Sequence, residues 1–118
     1  MKRIMITLCR DQVAPRFDMT TEVLLLASGG ELPSEPQERK YLVLARASGN
    51  ELCDLVLRMD VQLVVCGAIE EDFYHYLRWK RVELISNVSG PLETVLARAL
   101  AGTLQDGDSL DEHEGLPA

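Results

Sequence analysis

The sequence predicts a three-layer α/β domain with a mixed five-stranded sheet and elements in the order βββαβαβα. Two observations point there. Up to residue 45 the chain holds three short β-rich runs separated by loops. After residue 48, apolar runs alternate with segments whose apolar residues recur at helical spacing. Length agrees: 118 residues at 47% hydrophobic supply one compact core.

The first strand is read over residues 2–8, Lys-Arg-Ile-Met-Ile-Thr-Leu, and a loop over Cys9–Phe17 follows. The second strand takes residues 22–28 and the third residues 39–45. Between them, Gly29 to Pro36 is rich in Gly, Pro and Glu and reads as a turn. So short a gap favours antiparallel pairing, because a parallel return needs a long crossover. Ser48-Gly49-Asn50-Glu51 fits a capping box, which opens a helix to about Met59 with Leu52, Leu55, Val56 and Met59 as its stripe. Val61–Cys66 is the fourth strand, apolar enough to be covered on both faces. A second helix spans about Glu70–Lys80, and the fifth strand lies within Val82–Ser86. Pro91 suits the start and Gly102 the residue after the end of a third helix reaching about Ala101. Helical crossovers should make the third, fourth and fifth strands parallel.

Several function classes drop out. The apolar run Ile4–Leu8 is too short for a secretory leader, and no stretch is long enough to span a membrane. Three cysteines without paired spacing argue against a disulfide framework and for a reducing cytoplasm. The net charge is −7, and five acids with no Lys or Arg fall in residues 105–118. Residues 1–104 therefore carry −2, from 12 basic and 14 acidic side chains. Such a chain is a poor nucleic-acid binder. The acidic segment 105–118 reads as a solvated, disordered tail after a single domain of residues 1–104.

Open α/β sheets bind ligands at the C-terminal edge of their parallel strands. Three segments should meet there: Cys9–Phe17, Gly67–Asp72 and Asn87–Gly90. Cys9 lies at a strand end beside Arg10, where a cation favours thiolate, the metal-binding form. Cys66 and Cys53 fall on core elements, His75 sits four residues after Glu71, and His113 is in the acidic tail. The strands carry no carboxylate set for two-metal chemistry. No catalytic triad, Walker loop or Cys-x-x-Cys is present, so no enzyme activity is expected.

Three segments together resemble one family. Val13-Ala14-Pro15-Arg16-Phe17-Asp18 is similar to its Val-Ser-Pro-His-Phe-Gly loop. Val64-Val65-Cys66-Gly67-Ala68-Ile69 is similar to its Val-Ile-Cys-Gly-Gly-Ile strand end. Val88-Ser89-Gly90-Pro91-Leu92-Glu93, with the closing Gly102-Thr103-Leu104, is similar to its Val-x-Gly-x-x-Glu helix start and Gly-x-Leu end. The family is the dinitrogenase iron–molybdenum cofactor biosynthesis type, which includes NifX and the C-terminal part of NifB. The resemblance implies a ribonuclease-H-like fold over residues 1–104. It also implies a cytoplasmic carrier or scaffold for an iron–sulfur or molybdenum/iron–sulfur cluster, working with a cofactor-assembly or acceptor protein. The cofactor-binding residues expected from the resemblance and the converging loops are Cys9, Arg16, Phe17, Gly67, Ala68, Ser89 and Gly90; Cys9, outside the three matching segments, is the substitute thiolate and the expected metal ligand. Arg16 stands where the family often has His, Asp18 where it has Gly, and Ala68 where it has a second Gly. Arginine cannot ligate a metal, but it can hold an anion by charge-assisted hydrogen bonds. The alternative is an interaction or regulatory module on the same fold that binds no cofactor.

Overall fold

A computed structural model describes residues 2–28 and 38–110. It shows an α/β fold with three α-helices and a mixed six-stranded sheet. The strands are β1 (Lys2–Cys9), β2 (Gln12–Val13), β3 (Glu22–Ser28), β4 (Glu38–Val43), β5 (Leu63–Val65) and β6 (Glu83–Ile85). The helices are α1 (Gly49–Arg58), α2 (Glu71–Trp79) and α3 (Leu92–Ala101). The sheet order is β4-β3-β1-β5-β6, with β2 paired to β1. β1 is antiparallel to β3 and parallel to β5, which is parallel to β6. β4 runs in the direction of β5, as expected, but β3 and β1 lie between them.

The sixth strand is a correction to the expected five. β5 pairs only with Ile4–Ile6 and leaves the end of β1 open on that side. The chain turns back after Cys9 and fills the gap, pairing Leu8 with Val13 and Cys9 with Gln12. The turn is tight enough to place Arg10 at φ 59°.

Helix signals in the sequence appear as local chemistry. The Ser48 side chain accepts the Glu51 N–H at 3.2 Å, which caps α1. Gly102 closes α3 in the left-handed conformation, φ 76°. The alternating strand faces separate two cores. Met5, Val23, Leu25 and Val64 pack with Leu52 and Val56 of α1 and Leu77 of α2. Ile4, Ile6, Leu24 and Val65 pack with Leu92, Val95 and Leu96 of α3.

A second correction concerns the tail. Residues 105–110 are docked on the sheet edge. The Gly107 N–H donates to the Ser86 carbonyl, and the Asp106 carboxylate accepts the Ser86 N–H at 2.8 Å. Ser89 N–H donates to Asp108 O, Leu110 N–H donates to Ser89 O, and Leu110 packs on the α3 core. The two aspartates here cap backbone groups, which is why their charge is misleading as a sign of solvation. The expected turn at 29–36 and the tail residues 111–118 lie outside the described residues.

Candidate functional site at the C-terminal edge of the parallel strands

The three loops after β1, β5 and β6 do converge, and backbone hydrogen bonds stitch them together. Ala68 N–H donates to Pro15 O at 2.8 Å, and Phe17 N–H returns to Ala68 O at 2.8 Å. Val13 N–H donates to Gly90 O at 3.1 Å, and Leu92 N–H to Asp11 O at 2.8 Å. Asn87 N–H donates to Gly67 O at 2.8 Å. Gly67 permits this close approach: a Cβ there would lie 2.4 Å from Ala14 O and 2.5 Å from Pro15 O. Gly90, at φ 136°, has Leu110 packed where a side chain would start.

The expected site residues divide on this frame. Cys9 is exposed at the end of β1. Arg16 is exposed, but its guanidinium donates to both Asp18 carboxylate oxygens at 3.2 and 3.0 Å. The N–H groups of Ala68 and Ser89, expected to face an anion, are engaged by Pro15 and Asp108. Gly67 and Gly90 act as close-packing positions. Phe17, expected at the ligand, is 0% exposed and packs against Phe73 with ring centroids 5.8 Å apart. A large ring in an edge loop minimises its contact with water by turning into the α1–α2 core.

Sequence reasoning missed a cleft at the same edge. It is lined by Leu8, Arg10, Asp11, Glu22, Tyr41, Pro91, Leu92, Glu93 and Thr94; neither Cys9 nor Arg16 lines it. Antiparallel register brings Glu22 opposite Leu8 and Tyr41 opposite Leu24. The first turn of α3 adds Glu93 and Thr94. Arg39 donates to both Glu93 oxygens at 2.8 and 3.0 Å, which holds the Glu93 carboxyl below the usual range. The Pro91-Leu92-Glu93 helix start was legible in the sequence, but the cross-strand partners required the register.

The three thiols differ in their surroundings. Burial, with Asp106 nearby, pushes the Cys66 thiol up to about 12. Burial, with Asp54 adjacent, pushes Cys53 up to about 11. Both are neutral and shielded, whereas Cys9 meets solvent. Limiting iodoacetamide on the native protein should therefore label Cys9 first, mapped by mass spectrometry. Prior labelling of Cys53 would mean that α1 opens readily.

The same shifts set an alkaline limit. A thiol held neutral in the fold binds its proton more tightly than in the unfolded chain. Its stabilisation is complete below the ordinary thiol range, near 9, and is lost as pH rises toward about 12 for Cys66. Urea titrations should show stability falling above pH 9 by at most about 1.4 kcal/mol per pH unit for this thiol. Cys66→Ala should flatten that slope; an unchanged slope would exclude Cys66 as its source.

No family profile matches the sequence, and no curated protein matches it. Solved structures do match. The apo orange protein from Desulfovibrio gigas superposes with TM-score 0.69 at 15% identity, over 90% of this chain and 92% of that chain. A candidate dinitrogenase from Methanocaldococcus jannaschii gives TM-score 0.70 at 14% identity, over 87% and 91%. A candidate NifB protein from Thermotoga, placed in the DUF35 family, gives TM-score 0.67 at 14% identity, over 90% and 93%. At this level of identity the likeness is one of fold.

Proposed function

We propose that this chain is a small, non-enzymatic cytoplasmic carrier that docks a metal–sulfur cofactor at the stitched loop edge during cofactor assembly or transfer. The observation that carries this reading is the one exposed thiol among the described residues, Cys9, at the edge where the three loops lock together. The fold shared with candidate NifB and dinitrogenase proteins supports it. The cargo would be of iron–sulfur or molybdenum/iron–sulfur type, passed to or from an assembly or acceptor protein. Nucleic acid and membrane are not partners in this reading.

The donor set limits how the cargo is held. Among the described residues, no three His, Cys, Asp or Glu side chains gather as a metal-holding group. A cluster bridged by several ligands from one chain does not fit. In this reading the cargo docks noncovalently beside the exposed Cys9, with Arg16 exchanging Asp18 for the anionic cargo as its charge-assisted hydrogen-bond acceptor.

A second reading has its own observation. Arg16 is tied to Asp18, and the Ala68 and Ser89 N–H groups are satisfied internally. That arrangement favours an interaction or regulatory module without a cofactor.

Anaerobic titration with tetrathiomolybdate, and reconstitution with iron and sulfide with or without molybdate, separates the two. A charged hydrogen bond is worth about 1.5–3 kcal/mol, and breaking the exposed Arg16–Asp18 pair offsets about 0–1. Arg16→Ala should therefore weaken binding roughly 2- to 150-fold. Cys9→Ser should lose less than that. Arg98→Ala, in the last turn of α3, should be neutral. Equal affinity in wild type and both loop variants would take the site away from this edge, and no binding by the wild type would favour the module.

A further inference from the structure

At the opposite end of the sheet, α2 ends in a patch of unusual character for so acidic a chain. Trp79 is 75% exposed and Tyr76 39%. Lys80 Nζ sits 4.9 Å from the Trp79 ring centroid and 5.8 Å from that of Tyr76, so the three side chains form one stacked unit. Arg78 and Arg81 flank it, both exposed. Three of the chain's 12 basic residues thus fall within four positions. Among the described residues, the ion pairs are Lys2–Glu83, Arg16–Asp18 and Arg39–Glu93; no carboxylate pairs with Arg78, Lys80 or Arg81.

We propose that the Tyr76–Trp79–Lys80 unit, with Arg78 and Arg81, docks an acidic segment of a partner protein, carboxylates on the cations and an apolar side chain on the indole. Charge complementarity selects this occupant. Three cations within four positions make too few phosphate contacts to hold a nucleic-acid backbone. A protein segment needs only a few carboxylates, and Trp, Tyr and Arg are the residues that anchor protein interfaces. The patch lies where α2 passes into the start of β6, away from the loop edge, so a docked partner leaves that edge open. The assignment does not depend on the cofactor reading.

Trp79 is the single tryptophan, so its emission reports the patch directly. The probe is a synthetic peptide of Asp and Glu interspersed with Leu and Phe, at physiological salt. Saturable blue-shifted emission is expected, weakening as salt rises. The variant carrying Arg78→Glu and Arg81→Glu should bind at least about tenfold more weakly, with an unchanged melting curve. Trp79→Ala, read by anisotropy of labelled peptide, should also weaken binding. The assignment is overturned by no saturable shift, by unchanged affinity in the charge-reversed protein, or by equal binding of the peptide with Lys in place of its acids. Tighter binding of oligothymidylate than of the acidic peptide overturns it in favour of nucleic acid.

Discussion

Truncating the chain after Leu104 should destabilise the domain by about 3–5 kcal/mol and lower its melting temperature by more than about 10 °C. Such a cut removes the Gly107, Asp106, Asp108 and Leu110 contacts to Ser86 and Ser89. It also uncovers Gly90 and the α3 core where Leu110 packs. Each net hydrogen bond contributes about 0.5–1.5 kcal/mol, and a half-buried leucine adds about 1. The loss further leaves the Ser86 and Ser89 backbone groups, just past β6, without these partners. Truncation after Leu110 is the matched control and should leave the melting temperature within a few degrees. A melting temperature after the Leu104 cut within about 2 °C of the full chain would show that the 105–110 contacts contribute nothing.

Phe17→Ala should cost about 3–5 kcal/mol, the range for deleting a buried aromatic ring. Phe17 is fully buried and its ring lies against Phe73, so the cavity would open between α1, α2 and the 3-10 turn Phe17–Met19. Urea denaturation with an unchanged m-value is the measurement. A loss below about 1 kcal/mol accompanied by weakened cofactor binding would return the ring to the ligand site.

Those two experiments bear on the parts that the sequence conceals. Its strands and helices were legible where periodicity and caps coincide. Ser48 with Glu51 opens α1, and Pro91 with Gly102 brackets α3, through backbone groups next to them in sequence. Convergence of the three loops followed from topology. What stayed hidden depends on partners far along the chain. Asp106 reads as tail charge until Ser86 N–H appears 20 residues upstream. Arg16 reads as an anion clamp until Asp18 is seen to hold it. The two-residue β2 has no period of its own; it exists because β5 is shorter than β1.

The central place of β1 has a consequence for synthesis. One edge of β1 is covered early by β3, within the first 28 residues. The other edge waits for β5, whose first paired residue is Leu63. At ribosomal rates of about 5–20 residues per second, the nascent chain carries a half-finished apolar ribbon for roughly 2–7 s. Lys2 and Arg3 stand at the start of that ribbon, and like charges on neighbouring nascent chains repel. Replacing both with apolar residues should raise the fraction of newly made protein that aggregates, even though both are exposed in the finished fold.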